Sequence, residues 1–208
     1  MNITFIIILL ATIAMSYYGF NNPTFFNRYK FNVGAVQKGD YVRLVSSGFL
    51  HANWQHLIFN MISLYFFQDV IIGSMGNLMF LLIYFGSMLL GSVFSLYIYK
   101  KQPYYSAIGA SGAVSGIIFA AIALYPTALS VNFLPGWLFG ALYFGYSAFM
   151  MFNPQQGDNL GHAAHLGGAL FGLAVVIIYA PEVVIRHAFY LGVMALPLGY
   201  MGVRLLKK

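Results

Sequence analysis

Long apolar runs separated by short polar segments dominate the pattern of this chain. Seven runs are predicted to be helices, and they cover residues 3–20, 54–72, 78–99, 110–124, 134–152, 162–179 and 188–203. Several of them reach the roughly 18 apolar residues that indicate a membrane-spanning helix. The pattern therefore predicts an all-α polytopic membrane protein whose helices form a single bundle.

The segment between the first two runs, residues 21–50, has a mixed character. Charged residues alternate there with aromatic and aliphatic ones, the charged set being Arg28, Lys30, Lys38, Asp40 and Arg43. Such a segment cannot cross a bilayer, but it suits amphipathic pieces that lie at the membrane interface. Because long ordered loops are often functional, we expect this segment to contribute to the protein's function.

Composition supports the membrane class and excludes others. Hydrophobic residues make up 61% of the chain and charged residues only 7%, which is too little charge to cover a soluble domain of this size. The formal net charge of +6 comes from loop and terminal residues, which indicates contact with lipid and argues against nucleic-acid binding. The chain has no cysteine, so thiol catalysis and cysteine-based zinc sites are excluded.

The first run has no basic residue before it and no small-residue cleavage site of the usual kind after it. These features are typical of a retained helix and not of a cleaved signal peptide. Because no organellar transit peptide precedes this run, the sequence favours a multi-pass protein of a bacterial plasma membrane.

Polar side chains inside apolar runs are costly in a membrane and are therefore candidates for function. They occur in pairs three or four residues apart, a spacing that shares a helix face: His56 and Asn60, Ser111 and Ser115, His162 and His165. His51 and Asn53 stand just before the second run. Each group also has a structural interpretation, since such side chains often hydrogen-bond between packed helices.

A metal site is the first catalytic alternative for the histidine pair. The carboxylates of the chain are few and lie far from these histidines in sequence, namely Asp40, Asp69, Asp158 and Glu182. None of them forms the His-Glu-x-x-His motif of zinc proteases. An intramembrane zinc protease is therefore excluded.

Ser111 lies at the start of the fourth run, within a stretch of small residues that covers positions 108–116. A helix N-terminus presents unpaired N–H groups and a positive dipole end, which favour negative charge that develops beside them. The fourth run is short, which predicts that Ser111 lies below the membrane surface in a water-filled recess. Taken alone, this motif also fits ordinary close packing of helices.

A serine nucleophile needs a base, and within the apolar runs only histidine is suitable. Gly168 and Gly172 follow His165, and the fourth run offers small residues that match them, Gly112 and Gly116. Small residues on both helices allow a close approach, which would bring His165 to Ser111. His56 and Asn60 would then supply side-chain donors to an oxyanion. No carboxylate is placed to complete a triad, so the predicted unit is a Ser–His dyad.

Three motifs together resemble the signatures of rhomboid intramembrane serine proteases. They are His51-x4-His56-x3-Asn60, Gly109-Ala110-Ser111-Gly112, and Ala164-His165-Leu166-Gly167-Gly168 with Gly172, on the second, fourth and sixth runs. Arg43 is similar to an arginine of the family's first loop. The resemblance covers residues 41–179, so we predict one rhomboid-like domain over 1–208. Its core is 41–180, and residues 183–208 form an additional helix and a basic tail.

The resemblance implies a six-helix bundle, here with an additional C-terminal seventh helix. It implies Ser111 as nucleophile, His165 as general base, and an oxyanion hole of His56, Asn60 and backbone N–H groups. It further implies single-pass transmembrane proteins as substrates, cut near the extracytoplasmic side, and no cofactor. The fifth helix and residues 153–159 would form a lateral gate and a cap.

The sequence departs from the family pattern in three respects. Ser115 stands four residues after the nucleophile, where family members often carry an aromatic that stacks on the base. Arg43 follows Tyr41-Val42 and not the tryptophan found in some bacterial members. A cytoplasmic N-terminus would also place most basic loop residues outside, against the positive-inside rule.

Two other functions stay open at this level. A catalytically inactive rhomboid-like protein that binds transmembrane clients is the first, although inactive relatives typically lack the serine or the histidine. A small transporter or channel that uses the intramembrane polar groups as a relay is the second. It predicts an inverted repeat or broken helices, and the sequence displays neither.

Overall fold

A computed structural model describes residues 2–155 and 160–207. Its longer helices are α1 (Ile3–Asn21), α5 (Trp54–Ile98), α6 (Ser111–Leu124), α7 (Gly136–Phe152), α8 (His162–Tyr179) and α10 (Ala188–Leu206). The shorter ones are α2 (Pro23–Tyr29), α3 (Val33–Gln37), α4 (Arg43–Ser46) and α9 (Pro181–Arg186), with a 3₁₀ turn at Ser47–Phe49. Two-residue strands are β1 (Phe31–Asn32), β2 (Ser106–Ala107), β3 (Ser130–Val131) and β4 (Leu134–Pro135). The all-α polytopic architecture predicted from the sequence is confirmed.

Helix α5 comprises the second and third predicted runs. It has 45 residues, which at about 1.5 Å per residue is roughly twice the length needed to span a bilayer. Gly76 interrupts it with φ 83° and ψ 171°. Before the break, His56 lies beside Gly109, at the end of the bundle that carries Ser111. Ser74 hydrogen-bonds Tyr125 at the opposite end. After the break, Gly91 lies close to Ala164, which is back at the Ser111 end. The chain therefore reverses near Gly76, within the predicted break at 73–77, although the non-helical part is narrower than predicted.

Helix α6 forms the centre of the bundle. All of its residues are buried except Ser111 and Ile118, which are half-buried. Helices α5 and α8 pack around it. A helix that is apolar on every side has to be enclosed by other helices or by lipid, and here the other helices enclose it. Its 14 residues make it shorter than a full span.

Helices α7 and α10 form the outer side of the bundle and run parallel to each other. Trp137 lies beside Tyr190 near one end, with ring centroids 5.9 Å apart. Near the other end, Arg204 lies over the Phe152 ring at 5.3 Å. Helix α10 therefore returns the chain to the end of the bundle that carries Ser111. The basic residues of 21–50 and of the loop at 100–101 lie at this same end.

Four of the helices, α1, α5, α8 and α10, are long and apolar enough to cross a membrane by length and composition. Helices α6 and α7 are apolar but shorter. The predicted start of the fifth run at residue 134 is two residues early. Leu134 and Pro135 pair with β3 instead, across a tight turn in which Asn132 and Phe133 have positive φ.

The mixed segment 21–50 folds into short helices and strand β1. Asparagine caps start two of its helices, since Asn22 accepts from Phe25 N–H and Asn32 accepts from Ala35 N–H, both at 2.9 Å. Strand β1 pairs with β2, with Phe31 opposite Ala107. Because β2 ends just before Gly109, this segment directly supports the chain that leads to Ser111.

Candidate active site

Ser111 and His165 lie together at one end of the bundle. Ser111 is the first residue of α6, and His165 lies within the first turn of α8. The Nε2 atom of His165 is 2.7 Å from Ser111 Oγ, which is hydrogen-bond distance for a nucleophile and its base. His165 is only 9% exposed, so the imidazole is held by its surroundings on most sides.

Glycines bring α6 and α8 close enough for this contact. A Cβ atom on Gly168 would overlap the carbonyl oxygen of Gly112, and one on Gly172 would overlap the carbonyl oxygen of Gly116. The two backbones therefore touch without a layer of side chains between them. The spacing of the dyad depends on this backbone contact.

Gly109 shapes the turn that precedes Ser111. Its φ is +117°, a region that other residues rarely adopt. A Cβ at this position would lie 2.7 Å from His56 Cε1 and 2.9 Å from His56 Nε2. The N–H of Gly109 donates to Ser47 O at 3.0 Å. Only glycine satisfies both the conformation and the close approach of His56.

His51 holds the same turn from the other side. Its Nε2 accepts from Ala110 N–H at 3.3 Å, and its Nδ1 lies 2.9 Å from Ser16 Oγ. Because Ser16 Oγ donates its proton to Phe49 O, it has to accept from Nδ1–H, which leaves Nε2 free to accept. Burial, together with the nearby His56, lowers the pKa of His51 to about 3. The neutral tautomer with its proton on Nδ1 therefore links α1 to the serine turn.

His56 and Asn60 lie on the face of α5 that points toward this turn. His56 is the closer of the two to the serine, as its contact with Gly109 indicates. Asn60 is 5% exposed, and its Nδ2 donates to His56 O at 2.9 Å. That bond uses one of the two amide protons, so the other proton is available for a further acceptor.

The N-terminus of α6 supplies backbone donors at the same place. Its first intrahelical bond runs from Val114 N–H to Ala110 O, at 2.9 Å. The N–H groups of Ser111, Gly112 and Ala113 precede that bond and belong to the first turn, where helix donors have no helical acceptor. Donors in this position favour an anion near Ser111.

Arg43 lies outside the helical core and organises the first loop. Its Nη1 donates to the carbonyls of Asn27 and Lys30 at 2.9 and 2.8 Å, and its Nε lies 2.7 Å from Asp40 Oδ2. Arg28 also pairs with Asp40. The hydrogen bond from Arg43 is the main reason that the pKa of Asp40 is lowered. Arg43 is thus a structural residue of the loop. It is far from Ser111 and His165 in sequence, and these hydrogen bonds are all to residues of the loop.

Tyr143 is a site residue that sequence reasoning missed. Its ring on α7 lies 6.1 Å from the His165 ring, at an interplanar angle of 32°. Its hydroxyl is 2.7 Å from Ser115 Oγ. The sequence marks Ser115 as a polar residue inside an apolar run and as the replacement for an aromatic, but neither feature identifies Tyr143 as its partner.

Among residues 2–155 and 160–207, no group of three or more His, Cys, Asp or Glu side chains is placed to hold a metal ion. His162 lies beside His165, with ring centroids 6.2 Å apart, and Tyr146 packs on its edge. Residues 156–159, which include Asp158 and most of the predicted cap, lie outside the described part of the chain.

Comparisons with known proteins agree with this architecture. The Rhomboid domain family model matches residues 38–182. "RHOMBOID-like protein 12, mitochondrial" of Arabidopsis thaliana is 31% identical over 169 residues, which is 72% of this chain and 50% of that protein. "Putative rhomboid protease YdcA" of Bacillus subtilis is 31% identical over 143 residues, or 68% of each chain. "Rhomboid protein 1, mitochondrial" of Saccharomyces cerevisiae is 29% identical over 143 residues, or 64% of this chain and 40% of that protein.

The chain thus spans half or less of the Arabidopsis and yeast relatives and about two thirds of the Bacillus one. The family match covers most of the bundle, from the first loop through α8 to the start of α9. It includes the positions of Ser111 and His165 and the glycines between α6 and α8. This integral membrane protein belongs to the rhomboid family.

Proposed function

We propose that this protein is an intramembrane serine protease that cleaves transmembrane segments of other membrane proteins with a Ser111–His165 dyad. The observation that carries the proposal is the 2.7 Å distance between Ser111 Oγ and His165 Nε2, at the N-terminus of a buried helix. Membership of a family that contains serine proteases supports the same reaction class. No cofactor is needed for this chemistry.

The reaction begins with attack of Ser111 Oγ on the carbonyl carbon of the scissile peptide bond. His165 Nε2 takes the hydroxyl proton as the new C–O bond forms, and the carbonyl oxygen becomes an oxyanion. His165 then gives that proton to the amide nitrogen, the C–N bond breaks, and an acyl-enzyme is left. Water, deprotonated by His165, releases the acyl group as a carboxylic acid and restores Ser111.

The oxyanion would be stabilised by three kinds of donor. The first-turn N–H groups of α6 contribute backbone donors and the positive end of the helix dipole. The Nε2 of His56 lies beside Gly109 on one side of Ser111, and the second amide proton of Asn60 is available near it. In this assignment His56 and Asn60 contact the substrate, whereas His51 and Arg43 act through the structure around it.

The substrates we propose are single-pass membrane proteins. A helix that satisfies its own backbone hydrogen bonds hides its carbonyl carbons from a nucleophile. Cleavage therefore requires a segment that unwinds locally, which happens most easily where small residues or helix breakers weaken it. The bundle is embedded in lipid, so such a segment would approach Ser111 laterally. A bacterial plasma membrane is the proposed location.

Cleavage of a transmembrane reporter in liposomes by the purified protein tests the proposal. We expect wild-type protein to cut the reporter, and Ser111→Ala and His165→Ala to lose cleavage while they keep their fold. His56→Ala and Asn60→Ala each remove one proposed oxyanion donor, so we expect rate losses of about 10²–10³-fold. A fluorophosphonate probe should label wild-type protein at Ser111 and leave Ser111→Ala unlabelled.

Cleavage that survives Ser111→Ala would overturn the assignment of the nucleophile. Full activity in both His56→Ala and Asn60→Ala would overturn the oxyanion assignment alone. A wild-type protein that binds the reporter without cutting it, and that resists the probe, would instead favour an inactive rhomboid-like protein that holds transmembrane clients.

A further inference from the structure

The residues around the His165 ring come from more than one helix. Helices α6 and α8 supply Ser111 and the backbone contact beneath the dyad, but the Tyr143 ring comes from α7. Tyr143 lies 6.1 Å from the His165 centroid, with its ring tilted by 32° from the imidazole plane. The two rings are therefore closer to parallel than to perpendicular, at a separation within the range of interacting aromatic pairs.

Ser115 fixes the other end of the Tyr143 side chain. Ser115 follows Ser111 by four residues and so lies on the same face of α6, one turn deeper. Its hydroxyl and that of Tyr143 are 2.7 Å apart. Ser115 is 4% exposed, so its end of this bond is shielded from bulk solvent, which strengthens the bond.

Other rings hold Tyr143 in its position along α7 and α6. Its centroid is 5.3 Å from that of Phe119 and 5.8 Å from that of Phe139. Phe119 is fully buried and belongs to α6, whereas Phe139 lies one turn before Tyr143 on α7. Tyr143 thus has aromatic contacts with both helices and a hydroxyl contact with α6, which together restrict its rotamers.

A general base in a dyad needs an orienting contact besides the nucleophile. In a Ser-His-Asp triad the carboxylate provides that contact through a hydrogen bond. A ring packed against the imidazole limits its rotation, so that Nε2 stays directed at Ser111 Oγ. Tyr143 occupies the position from which a side chain can do this.

We propose that Tyr143, held by Ser115, is a positioning residue for His165, and that the alignment of the dyad therefore depends on the packing of α7. The expected effect of Tyr143 on the cleavage rate rests on the proposed function. The structural part of the inference, the restraint of the imidazole by a ring from α7, stands on the geometry alone.

The packing of α7 gives this arrangement a consequence. Helix α7 packs mainly on α10, less on α8 and least on α6. The Tyr143–Ser115 bond is therefore one of few polar ties between α7 and the centre of the bundle in the described residues. A movement of α7 away from α6 would withdraw the ring from His165, so the base is aligned when α7 is docked and less constrained when it is not.

Two substitutions at Tyr143 separate the ring from the hydroxyl. Tyr143→Leu removes both, and we expect kcat for reporter cleavage in liposomes to fall by about 10–100-fold, because small misplacements of a catalytic group have effects of this size. Tyr143→Phe keeps the ring, and we expect most of the lost rate to be restored. KM should change little in either variant, since neither side chain is proposed to bind substrate.

Tyr146→Leu is the matched control. Tyr146 lies on the same helix, but it is 54% exposed and packs on His162 instead of His165. The substitution has the same size and tests whether any lost tyrosine of α7 has the same effect. We expect cleavage by Tyr146→Leu to stay within about twofold of wild type, because surface substitutions are usually mild.

The ¹⁵N signals of the histidine rings test the inference without proteolysis. In histidine-labelled protein, assigned with a His165→Gln variant, we expect Tyr143→Leu to shift or broaden the ring signals of His165 and to leave those of His51 unchanged. Tyr143→Phe, which keeps the ring but loses the bond to Ser115, should show a smaller change than Tyr143→Leu. This experiment reports on the restraint even if the wild-type protein proves unable to cut the reporter, so failure of the proposed function is distinguishable from failure of the inference.

Three results would overturn the inference. The first is unchanged ring signals of His165 in Tyr143→Leu. The second is wild-type kcat in that variant when wild-type protein is active. The third is an equal loss of kcat in Tyr146→Leu, which would assign the effect to α7 as a whole.

Discussion

The α6–α8 pair and the α7–α10 pair both run in parallel, yet their interfaces are built from different parts. Between α6 and α8, glycines face carbonyl oxygens and the backbones touch. Between α7 and α10, side chains fill the gap, with Met194 packed on Gly140 and aromatic contacts toward both ends. Helix α10 has only two buried residues, Met194 and Met201.

The difference has a physical consequence for how each pair responds to strain. A backbone oxygen cannot move without shifting its whole helix, so the α6–α8 spacing has little freedom. A methionine side chain has three rotatable bonds and adapts to a changed gap. The dyad is thus carried by the rigid pair, whereas the helix that restrains His165 belongs to the adaptable pair.

A single methyl group in the rigid pair should have the largest effect. In Gly172→Ala the new Cβ overlaps the carbonyl oxygen of Gly116, and we expect the unfolding free energy to fall by about 3 kcal/mol, at the upper end for overpacking. Reporter cleavage should be lost with it, because Ser111 and His165 separate. Reversible unfolding in mixed micelles measures the first effect.

Gly199→Ala on α10 is the control for that comparison. A Cβ at Gly199 has nothing within 4 Å, and alanine has the higher helix propensity. We expect stability equal to or slightly above that of wild type. If Gly172→Ala were as stable as Gly199→Ala, the contrast between the two pairs would not hold.

Truncation in the adaptable pair should have an intermediate effect. Met194 is 1% exposed, and Met194→Ala removes its packing on α7. We expect a loss of about 2 kcal/mol in unfolding free energy, at the low end for such truncations, because lipid competes well for apolar surface. Fluorophosphonate labelling of Ser111 should persist in the folded protein. Loss of labelling without loss of fold would show that α10 constrains the dyad directly.

The smallest effect is expected in the first loop, outside both pairs. The folded-state pKa of Asp40 is lowered, chiefly by its hydrogen bond from Arg43. The pair therefore contributes stability above the ordinary aspartate pKa of about 3.9, and this contribution is lost as pH falls through the lower folded pKa. Asp40→Asn should be slightly less stable than wild type at neutral pH, and the difference should close below about pH 4. Unfolding curves at both pH values measure it, and a gap that does not change with pH would contradict the ion-pair explanation.

Local patterns made most of the fold predictable. Apolar runs gave the spans to within a few residues, and small residues spaced by four on two runs predicted a close approach of those helices. The seventh run stops at residue 203, three residues short of the end of α10, and the fifth run starts two residues early, where Leu134 belongs to a strand pair. Periodicity cannot distinguish a short buried strand from the first turn of an apolar helix.

Sequence reasoning could not reach contacts between distant side chains that belong to no recognisable motif. Ser115 and Tyr143 are 28 residues apart on different helices, and Ser16 and His51 are 35 apart. Each pair consists of residue types that are common in membrane helices for other reasons. Only the packing of α7 against α6, and of α1 against the first loop, brings the partners together.

The placement of basic residues has a consequence for the membrane's electric field. The end of the bundle that carries Ser111 also carries most of the basic side chains of the described chain, among them Lys30, Lys38, Lys100, Lys101 and Arg204. Each elementary charge moved across a potential of 100 mV changes the energy by about 2.3 kcal/mol. The resting potential therefore draws the Ser111 end toward the electrically negative side of the membrane. An orientation with Ser111 on the positive side has to be established while the chain is inserted, and the depth of the bundle in lipid then retains it.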